Sequence, residues 1–364
     1  MRAVSTLGFA AGVLLIAGVL WDAFESAVLS RRVSRGHQLT TLFYRLTWPT
    51  WRSAAERIRS PRRRENFLTV FGPLSLLLLI ALWALGLLFG FALLYWGART
   101  QLRTPDGQTS FLVDAYMSGT TLFTLGIGDV TPVSSGGRWI TVAESGIGLG
   151  FLALMISYLP VLSQAFSNRE VSISLLDARA GSPPSGTELL RRHVSDDEAS
   201  LELLLRDWER SAAQLLESHV SFPVLAFYRS QHDNQSWVAA LTAVLDSCAL
   251  IIAVVAKGPV HQARLTFAMG RHAAADLCRV LNVAPEPPHP DRLRSAELER
   301  LRDLLFESRI PMQAEPGCER RLRDLRALYE PQLYALSRRL LMPLPPWVPP
   351  AAVHENWQAM VPER

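Results

Sequence analysis

The chain has 364 residues, 49% of them hydrophobic, and a formal net charge of +4. Most of the basic excess lies within residues 30–65, so the charge does not indicate nucleic-acid binding. The three cysteines, Cys248, Cys278 and Cys318, are odd in number and lack metal-ligand spacing. This pattern argues against a disulfide framework and against a metal site. No acid, base and nucleophile stand together, so we do not expect an enzyme.

Three long apolar segments dominate the first half of the chain. Residues 3–21 and 67–98 carry no charge, and residues 139–168 carry one, Glu144. A helix that crosses the hydrocarbon core needs roughly 20 predominantly apolar residues. The sequence therefore predicts an all-α membrane protein, with residues 1–28 as an N-terminal transmembrane helix. A cleaved signal peptide is the alternative for this first segment.

A basic connector, residues 29–66, follows the first span. It holds ten arginines against Glu56 and Glu65. The positive-inside rule predicts a cytoplasmic connector, an external N-terminus and a cytoplasmic C-terminus in a multi-pass protein of the cell membrane. The arginines do not recur at every third residue of a span, which disfavours a voltage sensor. Residues 40–58 instead predict an amphipathic helix at the lipid surface.

Asp22 and Glu25 lie at the inner end of the first span, one helical turn apart. We expect them to pair with Arg31 and Arg32 or with the connector.

The hairpin between the second and third apolar segments contains a candidate ion filter. Two glycines at alternating positions let successive backbone carbonyls point to one side. A row of such oxygens replaces the water shell of a dehydrated cation. A short helix over residues 109–123, capped by Thr109 or Ser110, would aim its carbonyl end at that cation. A surface glycine turn is the alternative. The filter segment, residues 124–129, reads Thr124, Leu125, Gly126, Ile127, Gly128 and Asp129.

Residues 67–166 resemble the pore module of the potassium-channel family, which consists of an outer helix, a pore helix, a filter and an inner helix. The family filter T-V-G-Y-G-D stands here as T-L-G-I-G-D. The resemblance continues through Pro132, the pair Gly137-Arg138 and the glycines at 146, 148 and 150. It implies a homotetramer around one axis. It also implies K⁺ as the permeant ion, with no cofactor and no other metal.

Two filter residues depart from the family pattern: Leu125 replaces valine and Ile127 replaces tyrosine. Ile127 cannot make the hydrogen bond by which the family's aromatic hydroxyl ties the filter to the pore helix. Thr120 stands where some members carry a glutamate behind the filter, so no carboxylate pair with Asp129 forms. Three functions stay open: a potassium-selective channel, a weakly selective monovalent cation channel, or a membrane-anchored scaffold with a vestigial pore.

The third apolar segment, the inner helix of the resemblance, contains an isolated acid. An ionisable residue at membrane depth is a functional hypothesis. Glu144 is expected to face the pore helix or a neighbouring subunit and to support the filter, with a titrating gate as the alternative. Further down, Gly148 is the expected hinge, and Leu152, Ile156 and Pro160 are the expected gate, closing by dewetting near a kink.

The second half of the chain is predicted to be soluble and helical. Residues 167–187 are predicted to be a Gly/Ser/Pro linker, residues 188–342 a cytoplasmic helical domain with an unidentified ligand or partner, and residues 343–364 an exposed proline-rich tail. Residues 237–256, from Trp237 to Ala256, predict a buried core helix because Asp246 lies at their centre. A fourth membrane span is the alternative. No G-x-G-x-x-G motif of a nucleotide-binding domain occurs.

Overall fold

The computed structural model describes residues 2–27, 39–193, 198–232, 234–313 and 317–349. The chain divides into two compact units, Met1–Ser163 and Gln164–Arg364. The first unit contains α1 (Arg2–Ala27), α2 (Leu39–Glu56), α3 (Pro61–Gly97), α4 (Phe111–Leu122) and the first part of α5 (Ser135–Ala180). Two short antiparallel strands, β1 (Leu102–Arg103) and β2 (Thr131–Pro132), pair Leu102 with Pro132 and Arg103 with Thr131.

Three helices in the described residues are long and apolar enough to cross a membrane. They comprise Ser5–Ala27 of α1, the 37 residues of α3 and the 46 residues of α5. Each exceeds the roughly 20 residues that a bilayer core requires. The prediction of an all-α membrane protein is confirmed.

Small residues bring α1 and α3 into close contact. Gly8 and Gly12 are four residues apart on α1, as are Gly86 and Gly90 on α3. A Cβ built on Gly12 would lie 2.7 Å from the Gly90 carbonyl oxygen, and one on Gly90 would lie 2.6 Å from Ile16 Cγ1. Such spacing is typical of membrane helices whose backbones approach closely. The N-terminal span is therefore packed tightly against α3.

Asp22, near the C-terminal end of α1, connects this helix to the start of α2 and to the middle of α3. Its carboxylate is 3% exposed and accepts hydrogen bonds from Trp83 Nε1 at 2.8 Å and from Thr40 Oγ1 at 2.7 Å. The backbone N–H of Thr40 also donates to it, so a negative charge lies at the N-terminus of α2. Arg31 and Arg32, the partners expected from the sequence, lie outside the described residues.

The amphipathic helix predicted over residues 40–58 is present as α2. Its aromatic face contacts the start of α3: Trp51 stacks on Phe67 with ring centroids 4.3 Å apart, and Trp48 packs edge-on against Phe71 at 4.9 Å. Trp48 is 1% exposed. This face is thus covered by protein, while Leu42 and Leu46 of the same helix are 51% and 61% exposed, so the contact with the lipid surface stays a prediction.

The second unit is built around one buried helix. Its helices are the remainder of α5, then α6 (Gly186–His193), α7 (Glu198–Ser221), α8 (Trp237–Ala253), α9 (Val260–Val280), α10 (Ser295–Glu307), α11 (Cys318–Arg326) and α12 (Glu330–Leu340), with a 3₁₀ turn at Pro223–Phe227. Every residue of α8 except Ile252 is buried. The 17-residue α8 is thus the predicted core helix. Its Asp246 is fully buried and paired with Arg292 at 2.7 Å.

Residues 167–187 are not an exposed linker. Helix α5 continues to Ala180, and the segment after it is folded into the second unit, where Ser185 and Thr187 are fully buried. Their hydroxyls donate to the carbonyl oxygen of Trp347 at 3.1 and 2.6 Å. The Gly/Ser/Pro composition marks the end of a helix here, and the unit boundary falls earlier, after Ser163.

The proline-rich segment is only partly exposed over residues 343–349: Pro343 and Pro346 face solvent, but Pro345 and Trp347 are buried. Trp347 is 1% exposed, and the guanidinium groups of Arg292 and Arg326 lie over its ring at 5.6 and 5.5 Å. Arg292 Nη2 also donates to the carbonyl of Pro345 at 2.8 Å. The cation–π contacts and the backbone bonds hold this segment on the second unit. The rest of the predicted tail, residues 350–364, lies outside the described residues.

We predict that Gly12→Ala separates α1 from α3, because its Cβ has no room against the Gly90 carbonyl. The expected loss in the free energy of unfolding is about 1–3 kcal/mol. Gly18→Ala is the matched control, since nothing lies within 4 Å of a Cβ at Gly18. Unfolding of the full chain in detergent measures both variants. Equal stability of the two would contradict the close contact.

We also predict that His219 makes stability depend on pH. The ring is 1% exposed, and burial together with the Arg169 cation lowers the pKa of His219 to about 3. The unfolded chain takes up the proton near the ordinary pKa of about 6.5, so stability falls as the pH drops below that value. Between pH 7 and 5 the loss is about 2 kcal/mol.

His219→Phe, which keeps a ring against Trp237, should remove this part of the pH slope in denaturant titrations. The two proteins should show the same slope between pH 7.5 and 8.5. An unchanged slope below pH 7 in the variant would contradict the buried neutral histidine.

Candidate functional site

The hairpin between α3 and α5 places one short helix ahead of the glycine-containing segment. Helix α4 begins at Phe111, where Ser110 Oγ accepts from the backbone N–H of Val113 at 3.4 Å, and it ends at Leu122. The sequence had predicted this helix over residues 109–123 with Thr109 or Ser110 as its cap, and Ser110 fills that position. Segment 124–129 follows without regular secondary structure.

The backbone of segment 124–129 alternates in handedness. Thr124, Gly126 and Gly128 have φ values of 57°, 58° and 81°, and the two residues between them have no positive φ. The left-handed region is accessible to glycine at no steric cost and is uncommon for threonine. The positive φ values at Gly126 and Gly128 are the backbone conformation that the glycine spacing predicts, and the alignment of successive carbonyl groups on one side stays a prediction.

The N-terminal end of segment 124–129 is anchored to α4 through Thr120. The carbonyl oxygen of Thr120 accepts from the backbone N–H of Leu125 at 2.8 Å and of Gly126 at 3.2 Å. The Thr120 hydroxyl turns back to the Met117 carbonyl at 3.0 Å. Thr120 thus supports the segment with its backbone, whereas Leu125 and Ile127 are 63% and 60% exposed in the single chain.

The C-terminal end of the segment is anchored to the same helix by Tyr116, a residue that the sequence analysis missed. Its hydroxyl donates to Asp129 Oδ2 at 2.9 Å, while Asp129 Oδ1 accepts from the N–H of Val130 at 2.9 Å. Tyr116 precedes Thr120 by four residues and therefore lies on the same face of α4. This spacing was the available signal. An aromatic hydroxyl thus reaches the segment at Asp129 although Ile127 supplies none.

Glu144 connects three helices below the hairpin. It is fully buried, and its Oε1 accepts from Ser118 Oγ on α4 at 2.5 Å. Its Oε2 accepts from the hydroxyl of Tyr95 on α3 at 2.7 Å. The same Tyr95 hydroxyl lies 2.9 Å from Thr141 Oγ1. Glu144 was expected to accept hydrogen bonds from the pore helix, and Ser118 provides one. The sequence analysis did not identify Tyr95 or Ser118.

Gly148 allows α5 to approach the end of α4. A Cβ on Gly148 would lie 2.4 Å from the carbonyl oxygen of Leu122, whereas Gly146 and Gly150 have nothing within 4 Å. Helix α5 is continuous through Gly148 and through Pro160. The expected hinge is therefore a point of close packing in this structure.

The candidate gate residues Leu152 and Ile156 follow Gly148 on α5 at intervals of four residues, so they continue along the same side of the helix beyond the contact with α4. Leu152 and Ile156 are 51% and 63% exposed, as is Leu149 at 61%, and Pro160 is also exposed. These side chains form an apolar stripe that the single chain leaves uncovered. Among the described residues no group of three or more His, Cys, Asp or Glu side chains is placed to hold a metal ion.

We predict that Glu144 contributes to stability mainly as a double acceptor. Glu144→Leu removes this acceptor from the hydroxyls of Ser118 and Tyr95 and leaves them only the Leu88 carbonyl at 2.8 Å and Thr141 Oγ1 at 2.9 Å, so the free energy of unfolding should fall by about 2–3 kcal/mol. Glu144→Gln keeps one acceptor and the same shape, and should lose about 1 kcal/mol. Chemical unfolding of the full chain in detergent distinguishes these values, and a leucine variant as stable as the glutamine variant would contradict the network.

Comparisons with known proteins agree with this geometry. Residues 77–162 match the sequence profile of a family described as ion channel. An uncharacterized membrane protein of Bacillus subtilis (strain 168), YdjJ, is 31% identical over 193 residues, which cover 50% of this chain and 54% of that protein. Protein LctB of Bacillus caldotenax is 36% identical over 85 residues, which cover 21% of this chain and 63% of that protein.

Protein LctB of Geobacillus stearothermophilus gives the same identity and coverage. The chain thus spans about half the length of YdjJ and less than two thirds of that of LctB. No solved structure matches. The matched residues include the second half of α3, all of α4, segment 124–129 and the α5 residues up to Leu162. The resemblance to a two-helix channel module is confirmed: residues 77–162 of this chain carry an ion-channel domain.

Proposed function

We propose that the protein is a potassium-selective channel that conducts K⁺ passively through a filter formed by residues 124–128. The observation that carries this proposal is the alternation of left-handed backbone at Thr124, Gly126 and Gly128, with the segment anchored to α4 at both ends. A fixed row of carbonyl oxygens is the device that replaces the hydration shell of K⁺. In this proposal Thr120, Asp129 and Glu144 support the filter.

One chain supplies one row of carbonyls, whereas a dehydrated cation needs oxygens on all sides. We therefore propose a homotetramer with cyclic symmetry around the filter axis. The exposure of Leu125 and Ile127, and of the α5 stripe with Leu152 and Ile156, is consistent with this assembly, because uncovered apolar surface of this kind marks a contact with another protein chain or with lipid. In the tetramer the stripe and Pro160 form the gate, with Gly148 fixing α5 on α4.

The charge and the apolar surface of the other segments support a membrane topology for the chain. We propose an external N-terminus, a cytoplasmic connector at residues 29–66 and a cytoplasmic second unit in a protein of the cell membrane. Exposed leucines of α1 and α3, such as Leu14 and Leu77, contact lipid. The protein needs no cofactor besides the permeant ion, performs no catalysis and binds no nucleic acid.

A weakly selective monovalent cation channel is the second candidate. The observation that favours it is Ile127, which is 60% exposed and has no group that can hydrogen-bond to α4. The carbonyl spacing then depends on the Thr120 and Tyr116 anchors alone. If their stiffness sets the width of the filter, discrimination against Na⁺ is reduced.

Ion flux from liposomes that contain the full chain tests both candidates. We expect K⁺ flux at least about tenfold faster than Na⁺ flux. Gly126→Ala should reduce K⁺ flux by at least about tenfold, because alanine disfavours the left-handed backbone at this position. Gly150→Ala, in an open helical position, is the matched control and should conduct.

Equal fluxes of K⁺ and Na⁺ would support the weakly selective channel. Absence of flux for both ions, in liposomes where the protein is folded, would contradict conduction and would favour a membrane-anchored scaffold.

A further inference from the structure

A cavity of about 230 Å³ lies in the second unit, beside the part of α5 that continues beyond Ser163. Its walls come from three helices: α5 contributes Ser172, α7 contributes Trp208 and Ser211, and α8 contributes Trp237. The two serine hydroxyls hydrogen-bond to each other at 3.1 Å and thereby link α5 to α7 at the cavity. Nothing in the proposed channel mechanism uses this space.

The cavity has an aromatic and mainly apolar lining. Trp208 and Trp237 are 6% and 2% exposed, and Ile173 and Leu215 add aliphatic surface. The indole N–H of Trp237 makes one long bond, 3.5 Å, to the Ala226 carbonyl. The indole N–H of Trp208 has no hydrogen-bond partner among the residues that the structure describes. This N–H is not among the buried polar groups that lack a partner, so it stays accessible and can donate to a ligand that carries an acceptor.

The charges around the cavity disfavour an anion. Arg169 is a lining residue, but its guanidinium is already engaged: Nε and Nη2 donate to Glu170 at 3.1 and 3.0 Å, and Nη1 donates to the Leu225 carbonyl at 2.8 Å. Its charge is thus paired by Glu170. Glu217, also a lining residue, is exposed and adds a negative charge. A neutral or cationic molecule meets no repulsion there.

We propose that this cavity binds a small neutral nitrogen heteroaromatic molecule of one or two fused rings. The two indoles provide apolar contact, and the ring nitrogen accepts from Trp208. Because the ligand touches α5 and α7 together, it fixes the part of α5 that follows Leu152 and Ile156 in the same helix. Binding therefore alters ion flux, and this second statement rests on the proposed channel function.

Quinoline is the probe for the binding test, which uses the full chain in detergent and protein-free micelles as the blank. We expect saturable binding by saturation-transfer NMR. Ser211→Leu fills the cavity and should weaken binding at least about tenfold, whereas Ser211→Ala keeps the space and should stay within about threefold. Ala165→Leu fills the cavity from α5 and replaces Ser211→Leu in the test if that variant does not fold. The anion 1-naphthoate, of similar size, should bind at least about tenfold more weakly than quinoline.

The site is overturned if the wild-type chain shows no saturable binding, or if both filling variants bind quinoline as well as Ser211→Ala does. Equal binding of 1-naphthoate overturns the proposed ligand class. In liposomes, quinoline should change the K⁺ flux of the wild type and of Ser211→Ala but not of the filling variants. If quinoline binds to a protein that conducts K⁺ but does not change the K⁺ flux, the proposed effect of the ligand on the channel is overturned. If quinoline binds but the protein conducts no ions under any condition, the proposed channel function is refuted and the proposed ligand site still stands.

Discussion

The carbonyl oxygen of Leu122, in the last turn of α4, lies so close to Gly148 of α5 that a Cβ there would be 2.4 Å away. One turn earlier on α5, Glu144 holds Ser118 of α4 and Tyr95 of α3. These contacts fix α4 between the two long helices. Segment 124–129 is hydrogen-bonded to α4 through Thr120 and Tyr116, so its backbone geometry depends on the position of α4. Buried side-chain hydrogen bonds are well suited to this task, because their loss leaves unsatisfied groups in an apolar setting.

The N-terminal span extends the same support to α3. Apolar side chains gain little from leaving lipid for another apolar surface, so packing and polar contacts hold membrane helices together. Here glycines on α1 and α3 supply the packing, and Asp22 supplies the polar contact through Trp83 and Thr40. The span is thus a structural partner of α3, the helix that carries Tyr95.

Local sequence features predicted a large part of this structure. The positive φ at Gly126 and Gly128, the helix before them, and the buried helix around Asp246 follow from glycine spacing, capping and length. The supports of the hairpin could not be predicted from local pattern, because Tyr95 and Ser118 are 49 and 26 residues from Glu144. Gly148 illustrates the same limit, since a glycine in a helix permits either bending or close contact, and only its neighbour decides between them.

Two compositional signals were misleading in the second half of the chain. Prolines, glycines and serines indicate exposed connections on average. In residues 181–187 and 343–349 they instead form two segments that bind each other through Ser185, Thr187 and Trp347. The burial depends on Arg292 and Arg326, which lie far from either segment in the sequence.

The most direct test of the central claim, a filter formed by the backbone of residues 124–128, is the anomalous scattering of Tl⁺ in crystals of the full chain. The account predicts a row of Tl⁺ peaks on a fourfold axis, each surrounded by carbonyl oxygens from four copies of that segment. Ordered hairpins that enclose no cation, or that surround no common axis, would contradict it.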